Sequence, residues 1–217
     1  KMSKALVVAG AAAGVLALGI SASAATPTWT VKAGTAKSGA TASFKGTTTG
    51  KTPQITHVDK TTALTLTIKS GTASSTAKVG KGKAGAGIAS ISGSSTTWKT
   101  CVGPLGIQLN PKGSGTWKLN AVSYKSGVTT GTLTAAAATV STPDKSSCVF
   151  SVTGSVPITY TNSTQILAVK ATAANLTVSK VTGCFGLIKN KDKASFAASY
   201  KVVTSTKATN PLSITSP

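Results

Sequence analysis

From residue 25 onward, apolar side chains recur at every second position and almost nowhere at helical spacing. Leu64, Leu66 and Ile68 alternate with Thr65, Thr67 and Lys69, while Trp117, Leu119 and Ala121 alternate with Lys118 and Asn120. Successive side chains of an extended backbone point to opposite faces, so this period predicts strands with one face buried. Val149, Val152, Val156, Ile158 and Tyr160 continue the pattern around Gly154. The candidate strands are rich in Thr and Val, whose branched side chains suit a pleated surface. Gly, Asn and Ser interrupt them at roughly 8 to 12 residue intervals, the spacing of a sandwich or barrel. The expected fold is therefore all-β, an antiparallel β-sandwich or barrel. The segment Lys81 to Gly87 is expected to be an exposed loop, and the small run Ala135 to Ala138 to allow close approach of a second sheet or chain.

The first 24 residues read as a secretory signal peptide. Lys1 and Lys4 form a basic start, Ala5 to Ile20 is apolar, and Ala22-Ser-Ala24 offers a cleavage site. The apolar core is shorter than the stretch of about 20 residues that a membrane-spanning helix needs. The expected localisation is secreted or cell surface. The remainder is long enough for one continuous domain or for two similar β units, 25–125 and 126–217. A weak internal echo favours two units: Cys101-Val-Gly and Cys184-Phe-Gly are each followed by a Ser-Tyr-Lys strand, at Ser123 to Lys125 and Ser199 to Lys201.

The formal charge of +20 falls to +18 once Lys1 and Lys4 leave. All 23 basic residues are Lys, and the carboxylate side chains are Asp59, Asp144 and Asp192 alone. Such a balance attracts anionic partners over long range and opposes self-association. The lysines are spread singly along the strands, and no guanidinium fork is present to read bases or phosphates. Sequence-specific nucleic-acid binding is not expected. An anionic cell-wall polymer or lipid head groups fit better.

Three cysteines, Cys101, Cys148 and Cys184, in an exported chain predict one disulfide and one spare thiol. Cys148 with Cys184 closes the shorter loop and is the preferred pair, with Cys101 to Cys148 the alternative. Metal ligation would need closer spacing and more histidine than His57 alone. No cofactor motif is present: the Gly80 to Gly87 stretch lacks the ending of a phosphate loop.

At this point several stretches together bear a likeness: Cys101-Val-Gly-Pro-Leu-Gly, Trp117-Lys-Leu-Asn-Ala-Val-Ser-Tyr, Gly127-Val-Thr-Thr-Gly-Thr, Tyr160-Thr-Asn-Ser-Thr, Gly183-Cys-Phe-Gly-Leu-Ile and the closing Ile214-Thr-Ser-Pro. The chain resembles uncharacterised secreted proteins of actinomycetes over residues 60 to 217. The resemblance implies secretion by a Gram-positive bacterium and brings no activity with it.

General acid and base catalysis needs titratable groups held together. His57 and Asp59 would share a strand face, and a serine could complete a hydrolase triad, but no nucleophile elbow accompanies them. A solvated His57 near a turn is the plainer reading, and no catalytic residue is assigned. Cys101 beside Lys99 is a nucleophile only if its thiolate is favoured. The candidate binding residues are Trp29, Trp98 and Lys99, since an indole face stacks on sugars or sits at an interface while a neighbouring ammonium holds an anion. Trp117 shares a face with Leu119 and Ala121 and is expected in the core. The leading expectation is a non-enzymatic envelope-associated protein that binds anionic surface polymer. The alternatives are a self-assembling surface-layer or pore-forming barrel and a hydrolase using His57.

Overall fold

The computed structural model describes residues 27–49, 54–58, 63–103, 106–204 and 211–217, with backbone only at 54–58, 63–70, 100 and 173–174. The expected signal peptide, 1–24, and Asp59 lie outside the described residues. The strands are β1 (Trp29–Ala33), β2 (Thr41–Thr48), β3 (Gln54–Val58), β4 (Ala63–Lys78), β5 (Gly80–Lys83), β6 (Ala89–Val102) and β7 (Gln108–Gly113). They continue with β8 (Thr116–Lys125), β9 (Val128–Ser141), β10 (Cys148–Thr161), β11 (Ile166–Gly183), β12 (Lys193–Thr204) and β13 (Leu212–Thr215). A short 3-10 turn spans Cys184–Gly186.

The all-β expectation resolves into a barrel of 8 antiparallel staves. β2 and β3 lie end to end between β12 and β4, with Phe44 opposite Thr204 and Gln54 opposite Ala197. β7 and β8 divide a second stave in the same way, between β6 and β9. From there β9, β10, β11 and β12 follow as a meander, and β12 closes onto β2 and β3. Closure leaves the barrel wall no free edge, so every stave finds backbone partners on both sides.

The boundary expected near residue 126 falls in the turn of the β8–β9 hairpin, within this single wall. Residues 25–125 supply the staves from β2 to β8, and residues 126–217 supply the rest. Neither half closes without the other.

The β7–β8 break has a steric cause. A Cβ on Gly93 would stand 2.2 Å from the Ser114 carbonyl oxygen, and one on Gly113 would stand 2.5 Å from that of Gly93. Only two glycines let the backbones cross this closely, and Gly93 N–H then donates to Gly115 at 2.8 Å.

Bulges keep the apolar face inward where the wall bends. On β9, Gly131 and Leu133 point inward; Ala135, at φ 57, absorbs one extra residue, and Ala136, Ala138 and Val140 then take over. The buried apolar side chains form one cluster that runs through the barrel and into a small second sheet.

That sheet has the order β13-β1-β5. It corrects the reading of Lys81 to Gly87 as loop throughout, because Gly80–Lys83 is an edge strand with Trp29 opposite Lys83. Alternation was illegible there, since glycines offer no side chain to pattern. The sheet lies over the rim made by the β8–β9 and β10–β11 hairpins. Tyr160 Oη donates to the Leu212 carbonyl at 2.9 Å, and Asn162 exchanges two 3.0 Å bonds with the Ile214 backbone.

Candidate functional site

The far end of the barrel is built differently. Cys148, the first residue of β10, is bonded to Cys184, just beyond the end of β11, as the shorter-loop argument anticipates. The bridge joins two loops, 142–147 and 184–192, and Cys184 N–H also donates to the Ser147 carbonyl at 2.8 Å. Both loops are organised by carboxylates. Asp144 accepts from the hydroxyls of Thr142, Ser146 and Ser147, and Asp192 accepts from the Lys189 N–H at 2.6 Å. The hydroxyls of Ser147, Thr142 and Ser146, in that order of weight, hold the Asp144 carboxyl far below the usual carboxylate range.

Within this framework the chain presents an apolar tip. Phe185 is 72% exposed and Leu187 39%, two of the three large apolar side chains left exposed among the described residues. Lys145, Lys180, Lys189, Lys191 and Lys193 are exposed on the same pair of loops and the adjoining ends of β11 and β12. The backbone here is strained: five of the eight described non-glycine residues with positive φ are Lys145, Lys180, Cys184, Phe185 and Lys191. A bulky side chain in that region costs about 1 to 2 kcal/mol. Such strain persists only where neighbouring bonds over-determine the loop, and the disulfide and the two carboxylates do so here.

Trp29, Trp98 and Lys99 do not form a site together, which corrects the expected pairing of an indole with its lysine neighbour. Trp29 is 1% exposed in the small sheet, its Nε1 lacking a hydrogen-bond partner. Trp98 is 8% exposed inside the barrel and donates to Tyr200 Oη at 3.0 Å. Lys99 is exposed on the outer wall. Adjacent residues of a strand face opposite ways, so an indole and the next ammonium cannot hold one ligand. Trp117 is buried, as its strand mates imply, and stacks with Trp98 at a centroid distance of 6.4 Å.

Cys101 is free and buried, with its thiol pushed up to about 12 by desolvation. A thiol so placed is a poor nucleophile at neutral pH. The His57 backbone pairs with Ala194 and Leu64 in the wall, while its side chain lies outside the described residues.

No family model, curated protein or solved structure matches the chain. The site is therefore read from its own geometry. Sequence reasoning passed over Phe185 and Leu187 because an apolar pair beside a cysteine looks like core. The signal that was present is Gly186, which breaks the strand period between them.

Proposed function

We propose that the protein is an exported, non-enzymatic barrel that associates with the cell envelope by binding anionic surface polymer. The disposition of charge carries this reading. Every lysine whose side chain is described is exposed, apart from the half-buried Lys83, while Asp144 and Asp192 are engaged by donors of their own loops. The outer wall is thus a field of ammonium groups with little local neutralisation, which concentrates a polyanion by Coulomb attraction. The tip adds Phe185 and Leu187 on loops that also carry the exposed Lys145, Lys189 and Lys191, giving the polymer a point of closer contact. The disulfide is compatible with an oxidising location.

A pore is less well supported. A membrane barrel turns its apolar residues toward lipid and its polar ones inward. Here the apolar side chains point into the interior and the outward positions are chiefly Thr, Ser and Lys.

Retention on isolated Gram-positive cell walls tests the proposal. The protein should bind at about 50 mM salt and elute by about 1 M, where the screening length falls to roughly 3 Å. Replacing Lys189, Lys191 and Lys193 together by Gln should weaken retention more than replacing Lys112, Lys118 and Lys125. Retention indifferent to salt would sink the reading, and binding confined to anionic lipid vesicles would move the partner from polymer to membrane.

A further inference from the structure

The interior of the barrel is not completely filled. A cavity of about 100 Å³ lies within it. On one side it meets an aromatic wall: Trp98 stacks with Trp117, and Phe196 stands edge-on to Trp98 at 5.9 Å. On β2, β4 and β9 the inward positions facing it are Gly46, Ala73, Ala136 and Ala138. Leu133 and Val140 of β9 flank these small residues in the lining, while Phe44 of β2 is buried away from it. The bulge at Ala135 brings Ala136 and Ala138 to face the cavity, where an unbroken register would have turned Ala135 and Ala137 inward.

Empty space of this kind destabilises a core, because the atoms around it lose dispersion contacts that any methyl or ring would restore. An apolar cavity also stays dry, since water entering it would find too few partners, and such cavities accept small apolar molecules instead. An 8-stave barrel is near the size at which an interior is either filled by side chains or holds one small ligand.

Polar groups among the described lining residues are the hydroxyls of Ser75, Thr96 and Tyr200 and the indole N–H groups of Trp98 and Trp117. The Thr96 hydroxyl donates to the Ser92 carbonyl at 3.0 Å, and Trp117 Nε1 donates to Ser114 at 2.8 Å. The Tyr200 hydroxyl differs. It accepts from Trp98 Nε1 at 3.0 Å, and no acceptor for its own proton is recorded among the described residues. Burial pushes the Tyr200 phenol up to about 12, so at neutral pH it remains a donor. No charged side chain lines the cavity among the described residues, and an ion entering it would lose its hydration uncompensated there.

We infer that the barrel interior is a binding site for one small, uncharged, ring-sized apolar molecule that carries a single acceptor oxygen, with Tyr200 donating to that oxygen. The aromatic wall supplies flat contact area and the small residues of β2, β4 and β9 supply the room. This site is independent of the lysines outside, and it stands or falls apart from the envelope reading.

Cyclohexanone and methylenecyclohexane, matched in shape and differing in the acceptor, test the inference on the intact protein. Both should raise the thermal midpoint and shift the indole N–H resonances of Trp98 and Trp117. The ketone should bind about tenfold tighter, as expected for one buried hydrogen bond. Tyr200→Phe should abolish that preference while leaving methylenecyclohexane binding intact. Ala138→Leu should block both probes, and Ala136→Val provides the same test with a smaller intrusion should the first variant fail to fold. Absence of any shift at saturating concentrations of both probes would overturn the inference, as would undiminished binding in a folded cavity-filled variant.

Discussion

At one end of the barrel β1 and β13 lie beside β5 over the rim, held there by side-chain bonds from Tyr160, Asn162 and Gln165 to the β13 backbone. At the other end no sheet covers the rim among the described residues, and a covalent bridge between Cys148 and Cys184 holds a strained loop that exposes Phe185. The first end buries its aromatic residue, Trp29, at 1% exposure; the second displays one at 72%. The difference separates two ways of restraining a loop. Where apolar area can be buried, hydrogen bonds only need to set the register. Where a side chain must stay in solvent, burial contributes nothing and a crosslink takes its place.

Removing the crosslink is expected to have the largest effect. Cys148→Ser, with 36 residues separating the bridged positions, should lower stability by about 4 kcal/mol in the chain-entropy account. Urea midpoints measured with and without reductant read this directly. The variant should be insensitive to reductant, and a wild-type midpoint unmoved by reduction would show that the two ends do not differ in this way.

At the opposite end, Asn162→Ala deletes both bonds to Ile214 and should cost about 2 kcal/mol. Because the small sheet is then less firmly held, Trp29 emission should shift to the red while the disulfide end keeps its hydrogen-exchange protection. Equal loss of protection at both ends would mean that they unfold as one unit.

The smallest expected effect is confined to acid. The folded Asp144 carboxyl titrates well below its unfolded value, which lies near about 4, so its contribution is present above that value. The contribution is then lost as pH falls toward the folded value. Thermal midpoints should therefore decline more steeply below about pH 4 in the wild type than in Asp144→Asn. Parallel declines would remove Asp144 as the organiser of the 142–147 loop.

The β wall was legible because period-two alternation needs only local sequence: Trp117-Lys-Leu-Asn-Ala states which side chains turn inward whatever the neighbouring strand. The disulfide was legible as a preference, since Cys148 with Cys184 closes a shorter loop than Cys101 with Cys148. Strand Gly80–Lys83 was not, because two of its four residues are glycine and its pairing with Trp29 is long-range. The candidate site was largely hidden. Nothing local distinguishes an exposed Phe185 from a buried Phe150, nor a Trp98 turned inward from one that shares a surface with Lys99.

Local sequence thus determined most of the strands, their inward faces and the charge of the outer surface, which follow from backbone geometry and composition. Tertiary structure alone decided that the wall closes into a barrel. It also decided that Ala136 and Ala138 would leave a space beside Trp98, and that Phe185 would remain in solvent. Those outcomes depend on which distant strand lies alongside and how far the register slips at each bulge. Such terms arise between segments far apart in the chain, where period and propensity carry no information.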